Sequence, residues 1–411
     1  MVIIFRTLTL LILIQLLSGC NVVNILKLRN ANNDIEPLWH TTENQFPIAT
    51  DYIGEKVFVY GSINGVDGFK FMIDTGASFT FLFDTPKVVA LKLAEGYKLN
   101  LGGWGDEQDS LGHQINMTSL RFSALEVKNF QGAFVKMSKT PYFASSEELI
   151  YDGVIGHDLL RHFVWTFDKQ ANQVTVANVP HAAKSNTQTL PFDTFMSKIS
   201  IDGHIDFGNG HQIDHEFIID TGSRHYFKLS SAYPENNEIT LPSAQVTAAD
   251  FGLNGKAEHQ RATLPQINLG DIQFNNIKTN IIKHDDEDEL WVIGNAALNQ
   301  FRTTVDYQTS NIYLEPYENQ IFKSRYNLLG LEVRKLLSGN FIVRYVMPDL
   351  PAKKADFKVG DIITQVNGIS AKNISKDQWL TISATPEKYE ICRESFACKS
   401  LQTEHIKGYS N

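Results

Sequence analysis

Two segments of this sequence repeat each other at long range. FMIDTGAS at residues 71–78 is echoed by FIIDTGSR at residues 217–224, so Asp74 and Asp220 lie 146 residues apart. Three apolar residues precede each aspartate, a pattern that indicates a buried strand ending in a turn. A single aspartate at this point either caps the amides of its own turn or takes part in acid–base chemistry. Its repetition indicates a duplicated unit in which both aspartates have the same role.

The repetition continues downstream of each aspartate. VIGHDLLRHF at 154–163 corresponds to VIGNAALNQF at 292–301, 138 residues later. Short runs rich in Val, Ile and Phe, separated by Gly, Asn and Asp, are typical of antiparallel β structure, and one short helix is expected after each V-I-G strand. We therefore predict a mainly β fold with two equivalent lobes, residues 46–180 and 181–318, with the break in the polar segment 181–190.

Duplicated lobes can pack about a pseudo-two-fold axis, where equivalent residues meet. Such packing would bring Asp74 and Asp220 into one site. Two close carboxylates do not easily ionise together, so the pair shares a proton over a broad acidic range. One carboxylate can take a proton from water while the other donates a proton to a carbonyl oxygen. This chemistry needs no metal and no cofactor, and it leaves open which aspartate is the base.

Both repeats resemble the aspartic peptidases of the pepsin and retropepsin type. The resemblance rests on D-T-G at 74–76 and 220–222 and on V-I-G at 154–156 and 292–294. It implies a bilobal pair of β-barrel lobes with Asp74 and Asp220 as the catalytic residues. The family's threonines cross-link the two loops through hydrogen bonds, a role that would fall to Thr75 and Thr221. Its glycines would be Gly76 and Gly222, which let the backbone approach the carboxylates.

The two copies differ four residues after the aspartate, where the first has Ser78 and the second Arg224. A serine is frequent at this position in pepsin-like lobes. If Arg224 points inward, its charge should lower the titration range of the aspartates and favour acidic substrates. If it points outward, it is a surface arginine.

Residues 102–114 and 249–260 occupy the position of the family's flap. Glycine beside an aromatic residue suits a mobile hairpin that closes over a peptide. Two such segments resemble the symmetric retropepsin dimer more than pepsin, which has a single flap. Two ordinary hairpins are the alternative interpretation.

Beyond residue 320 the sequence has no counterpart in either repeat. LLGLEV at 328–333, then VMPDLPAKKADFKVGDIITQVNG at 346–368, predict two strands, a short helix near PAKKADF and a strand that ends in an N-G turn. This region resembles a PDZ domain, a small α/β fold, over residues 325–411. The resemblance implies that C-terminal peptides bind at a carboxylate-binding loop formed by Leu328, Leu329, Gly330 and Leu331. The closing helix and strand fit the family less well.

The N-terminus predicts export. An apolar run too short for a comfortable membrane span ends in LSGC, which resembles the lipobox of bacterial lipoproteins. This resemblance implies removal of residues 1–19, lipidation of Cys20 and, since Asn21 follows, sorting to the outer membrane, facing the periplasm. An uncleaved hydrophobic anchor is the alternative. Residues 20–45 are predicted to form a polar tether, and Cys392 and Cys398 are either a disulfide or a free pair.

Composition excludes some partners. The net charge of −9, without a sustained basic run, argues against nucleic acid. The group His204, His211 and His215 lacks the ligand spacing of a metal site, and HDDEDE at 284–289 lacks that of a calcium loop. We predict neither a metal site nor a bound cofactor.

These observations favour a lipid-anchored aspartic endopeptidase that acts on polypeptide substrates and carries a C-terminal PDZ domain. A non-catalytic periplasmic protein that binds peptides between protease-like lobes is the main alternative. Two intact D-T-G segments argue against it, because a pure binder gains nothing from two close carboxylates. A third arrangement, in which each lobe pairs with another chain, is disfavoured by the short connection between the lobes.

Overall fold

The computed structural model describes residues 21–106, 108–137, 145–241, 245–289 and 291–406. The predicted leader, residues 1–19, and Cys20 therefore lie outside the described residues. None of the helices in the described ranges is both long and apolar enough to cross a membrane. The described chain is mainly β and comprises two barrels, a sheet that joins them and a C-terminal domain.

Residues 21–30, predicted to belong to a tether, form a helix, α1, that packs on the first barrel. Leu28 is fully buried in a core cluster that also contains residues of the first barrel, with Ile25 packed against it. Ile25 and Leu28 lie three positions apart and so share one helix face, a spacing hidden by the surrounding asparagines. The following Asn32 is also buried and donates a hydrogen bond to Gln131 O at 2.8 Å. The segment is thus an integral part of the fold.

The first barrel and its connections span residues 37–177. Its strands are β1 Pro37–Trp39, β2 Gln45–Ile48, β3 Thr50–Ile53, β4 Lys56–Ile63, β5 Val66–Ile73, β6 Phe81–Phe83, β7 Glu95–Leu101, β8 Ser110–Phe122, β9 Leu125–Val135, β10 Gly153–Ile155, β11 Val164–Asp168 and β12 Gln173–Ala177. Its helices are α2 Pro86–Ala90 and α3 His157–Leu160, with a 3-10 turn at Ser146–Glu148. Strands β9, β6, β10, β5, β4 and β8 pair in that order, and β8 pairs back to β9, which closes the barrel.

The second barrel and its connections span residues 188–316. Its strands are β13 Gln188–Pro191, β14 Asp193–Phe195, β15 Lys198–Gly208, β16 His211–Asp220, β17 Phe227–Ser230, β18 Val246–Gly252, β19 Gly255–Leu269, β20 Ile272–Ile282, β21 Val292–Gly294, β22 Phe301–Asp306 and β23 Asn311–Pro316, and its helices are α4 Ala232–Asn236 and α5 Asn295–Leu298. Strands β20, β17, β21, β16, β15 and β19 close a ring in the same order as the first barrel. The short helices α3 and α5 confirm the helix predicted after each V-I-G strand.

A six-stranded bridging sheet, in the order β13-β23-β22-β11-β12-β2, joins the barrels. At its centre β11 of the first unit pairs antiparallel with β22 of the second. Thr166 lies opposite Thr304, and their hydroxyl oxygens are 2.8 Å apart. Equivalent residues thus face each other across the junction. One continuous hydrophobic core runs through both barrels, with Trp165 and Trp291 fully buried within it.

The C-terminal domain follows the loop 317–330 and has its own core around Phe341, Ile363 and Trp379. It contains β24 Leu331–Lys335, β25 Phe341–Val346, β26 Ile362–Val366, β27 Ile369–Ser370, β28 Lys388–Arg393 and β29 Lys399–Gln402, with helices α6 Pro351–Lys354 and α7 Lys376–Ala384 and a 3-10 turn at Ala371–Asn373. Helix α6 confirms the helix predicted near PAKKADF. The poorly fitting tail forms α7, β28 and β29, so a closing helix and strands are present. Cys392 and Cys398 form a disulfide.

Candidate functional site

The two repeated aspartates lie at equivalent strand ends. Asp74 directly follows β5, which pairs in parallel with β10, and its amide donates to Ile155 O at 3.0 Å. Asp220 ends β16, which pairs in parallel with β21 and places Asp220 beside Gly294. Phe71, Met72 and Ile73 before Asp74 are buried, as are Phe217 and Ile219 before Asp220, so each aspartate lies at the edge of a barrel core. Each V-I-G strand therefore fixes the position of one aspartate loop.

Reciprocal threonine hydrogen bonds join the two loops. Thr75 N donates to Thr221 Oγ1 at 3.1 Å, and Thr221 N donates to Thr75 Oγ1 at 3.0 Å. Each hydroxyl also donates across the junction, Thr75 to Ile219 O at 2.7 Å and Thr221 to Ile73 O at 3.1 Å. Both threonines are about 1% exposed, so these bonds are sheltered from water. The two loops are thereby held at a fixed separation.

Glycine allows the carboxylates to approach the opposite loop. A Cβ built on Gly76 would lie 2.8 Å from Asp220 Cγ, and one built on Gly222 would lie 2.2 Å from Asp74 Cγ. Real Cβ atoms do not come so close to a carboxyl carbon, so any side chain at these two positions would push the aspartates apart. Each aspartate therefore rests on the glycine of the other loop.

The carboxylate geometry shifts the titration of the pair. Asp74 Oδ1 accepts from Gly76 N at 2.9 Å and from Ala77 N at 3.1 Å, and Asp220 Oδ1 accepts from Ser223 N at 3.0 Å. Burial and the neighbouring Asp220 carboxylate raise the pKa of Asp74 to about 7, against the opposing effect of the Lys56 ammonium. One carboxyl group of the pair therefore keeps its proton well above the usual range of an aspartic acid.

A buried aspartate supports the first loop from behind. Asp158 in α3 is fully buried, and its Oδ1 accepts from Thr80 N at 2.9 Å and Thr80 Oγ1 at 2.8 Å. Its Oδ2 accepts from Asn32 Nδ2 at 2.9 Å, which ties the segment after α1 to the same loop. Burial raises the pKa of Asp158 to about 6. Sequence reasoning missed this residue, and its repeat counterpart, Ala296, gave no signal.

The positions that differ between the loops, Ser78 and Arg224, both line one large cavity that also contains the two aspartates. Arg224 Nη2 lies 3.3 Å from Glu332 Oε2 and 3.6 Å from Asp250 Oδ1. Arg224 therefore faces the interior of the molecule, as one of its two predicted orientations required. Its guanidinium lies between carboxylates of the second barrel and of the C-terminal domain and so joins these two parts of the fold.

The two predicted flap segments meet at their tips. Asn254 N donates to Trp104 O at 3.0 Å, and Asp106 N donates to Lys256 O at 2.9 Å. Contact is so close that a Cβ on Gly252 would lie 2.3 Å from Trp104 O. Both tips line the cavity. The hairpins of the two barrels thus form one continuous cover, rather than two separate surface turns.

The C-terminal domain forms a third wall of the cavity. Glu332 of β24 accepts from Arg261 Nη1 at 3.0 Å, and Arg261 and Arg224 together hold the pKa of Glu332 at about 2 although burial opposes them. Arg344 of β25 lies over the Phe251 ring at 3.7 Å from its centroid. On the other side, Gly54 N of the first barrel donates to Asp377 Oδ2 at 2.9 Å. The domain therefore contacts both barrels, an arrangement that the sequence did not indicate.

The predicted carboxylate-binding loop is partly occupied by the chain itself. Leu328 N donates to Ser383 O at 2.7 Å, and Gly330 N donates to Asn327 Oδ1 at 3.0 Å. Asn327 Nδ2 in turn donates to Leu331 O at 2.8 Å. Leu329 and Leu331 are fully buried in the core of the C-terminal domain. In this conformation the Asn327 amide occupies polar groups at the start of β24 that a docking peptide would use.

Two lysines near the aspartates were not singled out from the sequence. Lys56 opens β4 and lies close enough to lower the pKa of Asp74. Lys228 of β17 is 6% exposed and lies over the Trp104 ring at 3.9 Å from its centroid. Neither lysine lies in the repeated D-T-G or V-I-G segments. The packing of the whole fold brings these two side chains to the cavity, so the repeat gave no signal for them.

The histidines considered as metal ligands are used in separate contacts. His204 Nδ1 lies 2.8 Å from Asp214 Oδ1, His215 stacks on Trp291 with ring centroids 4.0 Å apart, and His211 Nε2 lies 3.5 Å from Tyr233 Oη. In HDDEDE, Asp286 Oδ1 accepts from Asp288 N at 3.0 Å, as in a polar turn.

Comparisons with known proteins identify one part of the chain. A PDZ domain model matches residues 342–391, which cover β25 to most of β28. The match begins after β24 and the loop at 328–331, so these two elements lie upstream of it. No curated protein matches the chain. The C-terminal domain of this mainly β protein is thus a PDZ domain, and PDZ domains generally bind peptides.

Proposed function

We propose that this chain is an aspartic endopeptidase, in which Asp74 and Asp220 activate one water molecule for attack on a peptide carbonyl. The observation that carries the proposal is the mutual approach of the two carboxylates, each against the glycine of the opposite loop. The cross-linked threonines support it, because they would hold this geometry while substrates enter and leave.

The proposed reaction follows from the shared proton. The ionised carboxylate takes a proton from water while the protonated one donates to the carbonyl oxygen, which gives a tetrahedral intermediate. The protons then move in the opposite sense, and the leaving amine receives one as the C–N bond breaks. The raised pKa of Asp74 keeps the required single proton in place up to about pH 7. Which carboxylate acts first as the base is a property of the pair.

A cavity of about 1230 Å³ surrounds the aspartates, between the two barrels, the flap tips and the C-terminal domain. This volume accommodates several residues of an extended polypeptide. Because the flap tips are in contact, we propose that they separate to admit a chain and close again before hydrolysis. The PDZ domain would recognise peptide segments or C-termini, either of the substrate or of a regulator.

We further propose that Cys20 is lipidated and holds the protein at the outer membrane, facing the periplasm. The helical residues 21–30 follow Cys20 directly and pack on the first barrel, so the anchor would hold the barrel close to the membrane. A Cys20→Ser chain should fail to incorporate radiolabelled palmitate and should leave the membrane fraction. Continued labelling of this variant would exclude Cys20 as the modified residue.

Cleavage itself is tested with the detergent-solubilised full chain and an unfolded protein, with products read by mass spectrometry. Asp74→Asn should abolish the products, as should a statine-type inhibitor, while Asp67→Asn at an exposed position of the same strand should change nothing. Products that persist with Asp74→Asn would refute the proposal. If the wild-type chain binds the unfolded substrate protein but does not cleave it, this result would instead support a peptide-binding role.

A further inference from the structure

The cavity around the aspartates has the opposite charge balance to the whole chain. The described residues that line it include twelve Lys or Arg and eight Asp or Glu, whereas the chain contains 37 and 46 of these residues. Arg224 and Arg261 are paired with Asp250 and Glu332 inside the cavity. The positive excess therefore belongs to other cations.

Three lysines from different parts of the fold contribute to this excess: Lys56 of the first barrel, Lys228 of the second barrel and Lys376 of the C-terminal domain. Lys228 is almost fully buried against Trp104, and Lys376 Nζ donates to Val333 O at 2.8 Å. Among the described residues none of the three ammonium groups forms an ion pair with a carboxylate. The Trp104 ring and the Val333 carbonyl oxygen replace only part of the water that Lys228 and Lys376 would otherwise bind.

Burial is the main effect on these lysines. It lowers the pKa of Lys56 to about 8 and that of Lys376 to about 7, and Arg224 and Arg344 add to both shifts, whereas the carboxylates of Asp74 and Glu332 oppose them at Lys56 and Lys376 respectively. Burial also lowers the pKa of Lys228. Each of these ammonium groups is largely removed from water, so an anion that reaches it in this low-dielectric space is attracted more strongly than it would be in water. The cavity is thus already prepared for negative charge.

The peptide groove of the C-terminal domain opens into the same space. Val333 and Lys335 of β24 and Lys376 and Trp379 of α7 all line the cavity. β24 is an edge strand, paired on one side with β25. A peptide that added to this edge would extend toward the aspartates. Lys376 lies beside this edge, since its Nζ donates to Val333 O.

We propose that Lys56, Lys228 and Lys376 bind a carboxylate of the peptide substrate, so that the cavity selects acidic peptides. This inference rests on the proposed peptidase function and names its substrate class. The carboxylate is supplied either by a Glu or Asp side chain near the cleavage site or by the chain terminus. Both sources present the same chemistry to the lysines.

Binding is measured with the full chain carrying Asp220→Asn, so that no substrate is lost to cleavage. The probe is one fluorescent extended peptide in four forms, with two central Glu or two central Gln residues, each with a free or an amidated C-terminus. We expect removal of the bound carboxylate to weaken binding at least about tenfold, the loss for one charge-assisted hydrogen bond. Loss on Glu→Gln assigns the site to a side chain, and loss on amidation assigns it to the chain terminus.

When Lys228→Gln is added to the Asp220→Asn chain, the acidic peptide should bind no more tightly than its neutral counterpart. Lys388→Gln, at an exposed position, should leave the preference for the acidic peptide unchanged. If Lys228→Gln impairs folding, Lys376→Gln tests the same point, since its ammonium holds a single carbonyl oxygen. Equal binding of all four peptide forms would overturn the inference. Because binding is read without cleavage, this result is distinct from a failure of the hydrolytic proposal.

Discussion

The loop junction provides a quantitative test of how the two barrels are held together. In Thr75→Val the side chain keeps its shape but loses the hydrogen bond donated to Ile219 O at 2.7 Å and the one accepted from Thr221 N at 3.0 Å. A buried amide deprived of its acceptor costs about 1–3 kcal/mol, and the second bond contributes about 1 kcal/mol more. We therefore expect a loss of about 2–4 kcal/mol in the free energy of unfolding.

A matched control is Thr166→Val in the bridging sheet. It is the same substitution at another buried site between the two barrels. It removes only the hydrogen bond between the Thr166 and Thr304 hydroxyl groups and leaves the backbone hydrogen bonds intact. The expected loss is about 1 kcal/mol. Urea unfolding measures both variants, and hydrogen exchange of a peptide spanning residues 217–223 includes the Thr221 amide. Equal destabilisation by the two substitutions, or unchanged exchange in Thr75→Val, would refute the cross-linking role.

Three further predictions concern the electrostatics of the site and the PDZ loop. Asp74 has a raised pKa, so the rate of hydrolysis should fall as the pH rises through about 7. The protonated carboxyl group also contributes to the free energy of unfolding, and this contribution should be lost as the pH rises from about 4 to about 7. Lys56 lowers this pKa, so Lys56→Met should move the falling limb of the pH–rate profile upward by about one unit, and an unmoved or lowered limb would contradict this electrostatic role. Asn327→Ala frees Gly330 N and Leu331 O, so a peptide with a free C-terminus should bind several-fold more tightly by calorimetry; unchanged affinity would show that Asn327 does not compete with peptides.

Residues within the repeat could be predicted from the sequence because duplication fixes their partners. Asp74, Thr75 and Gly76 each meet the corresponding part of the second loop, as the pseudo-two-fold argument requires. Helices α3 and α5 were predicted for the same reason, since each follows a V-I-G strand. Local spacing and internal symmetry carried this information.

The rest of the site depends on contacts that no local pattern encodes. Lys228 lies in a short strand whose neighbours are all buried, so its approach to Trp104 follows only from the meeting of the flap tips. Glu332 reaches Arg224 and Arg261 only because the C-terminal domain closes one side of the cavity. Helix α1 was missed because asparagines surround the few apolar residues that pack on the barrel.

The central claim is that Asp74 and Asp220 form one hydrolytic unit, and rates of cleavage of a single peptide by four chains test it most directly. The chains are the wild type, Asp74→Asn, Asp220→Asn and the double variant, compared at one pH below 7. Residues that act as a unit lose activity non-additively. We predict that each single substitution lowers kcat by more than about 1,000-fold and that the double variant is no slower than the slower single variant. Substantial activity in either single variant, or losses that multiply in the double variant, would contradict the account.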